Sequence, residues 1–228
     1  MFEALRGQGV LPSDLGEMEP GAVTAAFLSA TKDEELSGYE RIVVLQAYQR
    51  LASFFQAQVL EAMASISDLI SEMEADPEVA HDSAAAEIGA ALRLTRRAAE
   101  YDLALALDLK ERLPEVWEAL ATGAIDLRRA RVIVAGTSHL SEEAAREVAS
   151  RVLGAATRLT TGQLGALIRR VCVQADPDDA AARYGEAVDG RRIVVEPSVD
   201  GTAHLFGLDL PPIGWKPPCG GSATWPNP

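Results

Sequence analysis

The sequence predicts a mainly α-helical protein with one small β-hairpin near its C-terminal end, and three observations carry that expectation. Apolar residues from Val44 to Met73 recur every three or four positions, the spacing of one helix face. Capping residues, first-turn prolines and terminal glycines then punctuate the chain at helix-length intervals. Beyond residue 190 the texture switches to a short β-branched run, Arg191 to Glu196, followed by a turn. Composition agrees: 48% of residues are apolar but only 5% aromatic, and alanine is abundant, which suits closely packed helices.

Residues 1–37 are rich in Gly, Pro and acid and are expected to form a loosely ordered lead-in, with a short helix near Gly21 to Ala30. A helical domain is expected over residues 38–188. It opens with a long helix, 38–75, whose stripe is Val44, Tyr48, Leu51, Phe55, Val59, Met63, Ile66, Ile70 and Met73, stopping at Asp76-Pro77. A stripe of that length needs a partner. The rest of the chain is the plainer choice; a second copy, giving a homodimer through the long helix, is the other.

Shorter helices follow. Asp82 or Ser83 can cap one through Leu92, and Thr95 another to about Leu109. Pro114 suits the first turn of a helix ending near Gly123, and Leu127 to Ala135 reads as one more. Ser141 starts a helix through about Thr157. Thr160 and Gln163 form a capping-box pair at the head of the next, which ends before Asp176-Pro177. A last short helix spans Asp178 to Ala187. The hairpin, within 189–210, turns at Val199-Asp200-Gly201-Thr202 and returns over Ala203 to Leu208. Residues 211–228, rich in Pro, Gly and Trp without periodicity, are expected to be disordered.

Charge and cysteine usage narrow the function classes. The net charge of −13 argues against a general nucleic-acid coat. It is uneven, however: residues 1–86 carry 4 Lys/Arg against 15 Asp/Glu, whereas residues 87–170 carry 13 against 11. Only this middle third would not repel a phosphate backbone. Two distant cysteines, Cys172 and Cys219, build neither a disulfide framework nor a Cys-rich zinc site, so a reducing, cytoplasmic setting is expected. There is no basic n-region before an apolar run at the N-terminus and no long apolar window, so neither a signal peptide nor a membrane span is expected.

One segment, within a helix-turn-helix-like unit over 83–134, carries a mechanism. A small-residue helix ends at Leu92, a tight link reaches Thr95, and a second helix opens with Arg96-Arg97. In a helix-turn-helix the second helix enters the DNA major groove, and its first turn meets bases and phosphates. Arginine suits that position because its planar fork binds guanine or phosphate through two hydrogen bonds.

Ala86 to Ala99 resembles the helix-turn-helix of ParB-type partition proteins, I-A-x-x-L-G-L-S-R-x-x-V. Leu113 to Arg131 resembles the L-P-E-x-V-x-x-L-x-x-G-x-L-x-x-x-H-A-R that follows it there. Two departures stand out. Arg93 replaces the glycine of the tight turn, where left-handed backbone costs a non-glycine residue roughly 1 kcal/mol. Arg129 replaces the histidine before Ala130-Arg131.

A wider resemblance, from about Tyr39 to Leu210, is to domain-of-unknown-function family 222, the 13E12 repeat family known from actinobacteria. It is carried by Glu87 to Arg97, Leu120-Ala121-Thr122-Gly123, Arg128-Arg129-Ala130-Arg131, Leu159 to Leu164, Ala175-Asp176-Pro177-Asp178 and the Arg191-Arg192 hairpin. The resemblance implies a helical region that usually precedes an HNH nuclease module in mobile-element proteins. An HNH site needs a general-base histidine, an orienting asparagine and a metal-binding histidine. The histidines here, His81, His139 and His204, and the single asparagine, Asn227, do not fall in that pattern. The chain is therefore expected not to be an enzyme, and residues 211–228, where the likeness fades, to be a truncation or frameshift product.

The expected function is double-stranded DNA binding by a nuclease-less helical module. Its contacts would be Arg93, Thr95, Arg96, Arg97, Arg128, Arg129 and Arg131, with no metal and no cofactor. Blander readings stand beside it. Arg96 and Arg97 can simply solvate a helix start, and Arg128, Arg129 and Arg131 a charged face. His81 beside Asp82 lacks a third ligand, the Asp176, Asp178, Asp179 group reads as a helix start, and Cys172 as core. The rival function is a non-catalytic protein-interaction or dimerisation module, or a remnant without DNA binding. Capture of the arginines by Glu87, Glu100 or Asp102 would favour that rival.

Overall fold

A computed structural model describes residues 11–12, 15–32, 34, 36–175 and 177–210. In chain order the helices are α1 (Ala22–Ala30), α2 (Gly38–Met73), α3 (Pro77–Leu92), α4 (Arg96–Leu107), α5 (Pro114–Ala121), α6 (Leu127–Thr137), α7 (Glu142–Ala156), α8 (Thr161–Ala175) and α9 (Pro177–Asp189). A π turn, Asp108–Arg112, continues α4. Strands β1 (Arg192–Pro197) and β2 (Ala203–Leu208) form an antiparallel hairpin that pairs Val195 with Leu205. The chain divides into two compact units, Met1–Ile168 and Arg169–Pro228.

Local chemistry sets most element ends. Ser37 and Glu40 form a reciprocal capping box at the head of α2. Glu40 is buried there, and its carboxylate accepts from the Ser37 amide (2.9 Å) and hydroxyl (2.6 Å) and from the Leu11 amide (3.3 Å). Thr95, Asp126 and Ser141 each cap the helix that follows. Thr160 and Gln163 make the capping-box contacts their spacing predicts. The α3 start differs from the expectation at Asp82 or Ser83. Asp76 caps it, accepting from the Glu78 amide at 3.0 Å, and Pro77 occupies the first turn. A proline that ends one helix can open the next, because its missing N–H falls where no helical bond is required.

The first unit is built on α2, against which α1, α3, α4 and α5 pack. Leu103, Leu109, Leu113, Val116, Leu120 and Ile133 are fully buried around it. The lead-in is less loose than its composition suggests: Leu15, Leu28 and Leu36 join Val44, Ala47 and Leu51 in one apolar cluster.

The single stripe expected on α2 resolves into two faces. Val44, Leu51 and Met63 turn inward, together with Ala47, Ser53, Ala57, Leu60, Ala64 and Ser67. Tyr48, Phe55, Val59, Ile66 and Met73 lie on the other side and are exposed. Small residues occupy much of the inward face because they let neighbouring helices approach closely, a role that hydrophobicity ranking does not register. In the second unit β1 and β2 expose Ile193, Val195, Leu205 and Phe206. The Pro/Gly/Trp-rich stretch expected to be disordered, 211–228, lies outside the described residues.

Candidate nucleic-acid interface

The α3–α4 corner is a tight turn. Arg93 adopts left-handed backbone (φ 56°, ψ 40°), the conformation the glycine of the resembling motif would supply more cheaply. The Leu94 amide reaches back to the Gly89 carbonyl at 2.9 Å, the six-to-one bond of a Schellman ending. A Cβ added at Gly89 would meet the Ala99 Cβ at 3.4 Å, so α3 and α4 touch closely behind the corner. Thr95 then caps α4 through the Ala98 amide at 3.3 Å. A cleft of about 260 Å³ lies in the crook, lined by Asp82, Ala85, Ala86, Gly89, Ala90, Leu94 and Arg96.

The seven candidate contact residues separate by what they already touch. Arg93 and Arg97 are exposed and make no ion pair or side-chain hydrogen bond among the described residues. Arg96 is exposed too, but its Nε donates to Glu100 at 2.6 Å and its Nη2 to Asp82 at 3.0 Å. The Glu100 hydrogen bond, then the charge of Asp82, hold this guanidinium above its ordinary pKa. It is a caged cation, charged at every accessible pH and flanked by two acids.

The α6 arginines behave differently. Arg128 is exposed near the head of the helix. Arg129 is half-buried: its Nη1 pairs with Asp126 at 2.5 Å, and its Nε and Nη2 donate to the Leu159 carbonyl at 3.0 and 2.8 Å. It clamps the end of α7 to the head of α6. Arg131 donates to Asp102 of α4 at 2.9 Å and lies 5.6 Å from the Tyr101 ring centroid. Its Nε is buried without a partner. Sequence reasoning named Glu100 and Asp102 as potential captors but not Asp82 or the Leu159 carbonyl. Glu100 is signalled by its four-residue spacing from Arg96; the Asp82 contact forms only once α3 folds back on α4, and the Leu159 contact only once α6 packs against the end of α7.

His81 and Asp82 lie with Pro77 and Glu78 along a shallow surface of α3. Among the described residues no group of three or more His, Cys, Asp or Glu could hold a metal ion. Cys172 is buried, and that burial pushes its thiol pKa up. No helix among the described residues is long and apolar enough to cross a membrane.

The residues that compose this corner and its supporting helices fall inside one family match. A model described as "Domain of unknown function (DUF222)" covers residues 47–212, well over half of the chain. The chain belongs to the DUF222 family. No curated protein and no solved structure matches it. Within the DUF222 match fall α3 to α9, the hairpin and most of α2, so the α3–α4 corner and most of the exposed α2 face are parts of the family region.

Proposed function

We propose that this DUF222 chain binds double-stranded DNA through the α3–α4 corner, with the first turn of α4 in the major groove. Arg93 carries the proposal. It sits in a backbone conformation that is cheaper for glycine, exposed, three residues before Arg96 and four before Arg97. A residue kept where the backbone disfavours it directs attention to what its side chain does, and here that side chain adds a cation beside the head of α4. Arg93 and Arg97 would make the leading phosphate or base contacts. Arg96 would contribute only by exchanging its carboxylates for phosphate, and Arg128 would serve as an outlying contact. Arg129 and Arg131 support the proposal by bracing α6 against α7 and α4. The proposed role is binding and not catalysis, because guanidinium groups supply charge and hydrogen bonds but cannot shuttle protons near neutral pH.

A second reading, association without DNA contact, is favoured by the cage around Arg96. One experiment decides between them: fluorescence anisotropy of a labelled duplex across a salt series, comparing the parent with Arg93→Gly/Arg97→Ala. On the DNA reading the parent affinity falls steeply with salt, and the double variant loses about 1.8 from the log–log slope, roughly 0.9 per lost phosphate contact. Absence of binding at low salt removes the DNA reading and leaves association.

A further inference from the structure

The face of α2 that the fold leaves uncovered is more regular than the face it buries. Leu45, Tyr48, Ala52, Phe55, Val59, Ala62, Ile66, Leu69 and Met73 follow one another at alternating spacings of three and four, an unbroken heptad seam. All nine are exposed: Leu45 by 67%, Leu69 by 58% and Met73 by 81%, with Phe55 and Val59 each 49% exposed at the centre. The seam runs roughly 42 Å at about 1.5 Å per residue and some 10 Å across. About 400 Å² of continuous apolar strip is the size that marks interaction sites on soluble proteins.

The flanks indicate what covers it. Gln46, Gln49, Gln56, Gln58 and Ser65 border the strip, and no charged residue occurs between Arg50 and Glu61. Depletion of charge at the centre with polar, uncharged neighbours is the composition of an interface core. A partner of opposite charge finds nothing there to pair with. A second copy does, because the ends of this face are complementary. Arg41, four residues before Leu45, extends the seam at its N-terminal end, while Glu72 flanks it at the C-terminal end. Lys110 already neutralises Glu61 (3.7 Å) and Asp68 (3.0 Å) within the chain.

We propose that two copies of this protein pair through this seam as an antiparallel, two-fold symmetric helix pair. Antiparallel pairing sets the Arg41 end of one helix against the Glu72 end of its partner, whereas parallel pairing stacks like charges. It also stacks the residues in self-consistent layers: Leu45 on Leu69, Tyr48 on Ile66, Ala52 on Ala62 and Phe55 on Val59, each occurring twice about the axis. The Ala52–Ala62 layers let the backbones close up on either side of the central aromatic layers. With the glutamine flanks included, the burial approaches the ~800 Å² per partner of a standard interface. The inference is independent of DNA binding, since the seam and the arginine corner share no residue.

Sedimentation equilibrium on the full chain tests it. The parent is expected to reach twice the 24.3 kDa chain mass at micromolar concentration. Val59→Lys and Phe55→Glu, each at an exposed position, should leave helicity by circular dichroism unchanged and weaken dimerisation at least ~100-fold, because each buries an unpaired charge. Mixed together, the two variants should associate again, since antiparallel layering places Lys at 59 against Glu at 55. A parent that stays monomeric at 100-fold higher loading overturns the proposal, as does a dimer indifferent to both substitutions. Failure of the mixture to re-associate overturns the antiparallel arrangement.

Discussion

Whether an arginine of this chain is open to a ligand depends on which carbonyls and carboxylates the fold has placed within its reach. Arg129 spends three donors on Asp126 and Leu159, and Arg146 reaches the carbonyls of Glu111 and Arg112 at 2.8 and 3.1 Å. Among the described residues Arg93 has no such partner, and it bears the cost of left-handed backbone. Arg93→Gly is therefore expected to be neutral or to stabilise the fold by up to ~1 kcal/mol while weakening DNA binding. Urea denaturation alongside anisotropy checks both, and a loss of stability above that size would show the side chain to be structural. The turn position of Arg93 was legible because its neighbours spell the motif; the cage around Arg96 was legible only for Glu100, since Asp82 comes from another helix. A pH effect sits at Asp200, whose carboxylate accepts from the Thr202 hydroxyl at 2.6 Å and the Thr202 amide at 3.0 Å. Those bonds, the hydroxyl's foremost, hold its carboxyl below the usual carboxylate range. With the folded value depressed, its contribution to the hairpin turn is complete above the unfolded value of ~3.9 and lost as pH falls through the folded one. The Thr202 amide resonance should shift with an inflection below ~3.9, and an inflection at or above that value would contradict the turn geometry.

Elements end and pack here according to a few small residues. Gly123 terminates the α5 turn with φ +71°, and a Cβ there would lie 2.8 Å from the Arg50 Cβ and 2.9 Å from the Arg50 carbonyl oxygen. Both the backbone conformation and the contact with α2 exclude a side chain. Gly123→Ala is expected to cost about 2–4 kcal/mol, combining ~1 kcal/mol of left-handed strain with an overpacking penalty against a backbone that cannot yield. Gly154, inside α7 with nothing near its missing Cβ, provides the contrast: Gly154→Ala should gain about 0.5–1 kcal/mol. Chemical denaturation midpoints of the two variants should move in opposite directions, and equal shifts would refute the close α5–α2 approach. The glycine of Leu120-Ala121-Thr122-Gly123 was legible as a helix end, but not its approach to α2. The same physics explains why the α2 stripe was misassigned in part. Large apolar side chains announce a face, yet Ala47, Ala57 and Ala64 share the buried one with Val44, Leu51, Leu60 and Met63, so residues chosen by size fell on both sides. Helix starts were more legible, since Thr95, Ser141 and the Thr160–Gln163 pair act within a few residues of themselves. Asp76-Pro77 was read only as a stop because its role as a start depends on which way the chain proceeds.

At the scale of the molecule, the two units differ in how much of themselves they bury. In Met1–Ile168 the side chains of Leu103, Leu109, Leu113, Leu120 and Ile133 lose essentially all contact with solvent. In Arg169–Pro228 the hairpin exposes Ile193 by 66%, Val195 by 60% and Leu205 by 70%, so its ladder rests on its own hydrogen bonds and the Asp200 turn. A two-stranded hairpin without an apolar partner is marginal in water, because one ladder scarcely offsets the backbone entropy it fixes. The β1 and β2 amides should therefore open in a local step of low free energy, while those of α4 to α7 open only with global unfolding. Hydrogen exchange followed by mass spectrometry on the full chain should find the hairpin exchanging at least roughly a thousandfold faster than α5 and α6. The sequence made this unit's strands legible through Arg191 to Glu196 and Ala203 to Leu208, but strand pattern does not reveal whether a hairpin has something to lean on. Protection of β1 and β2 equal to that of α5 would mean that Ile193, Val195 and Leu205 are covered. In that case the hairpin would be a surface whose partner defines its stability.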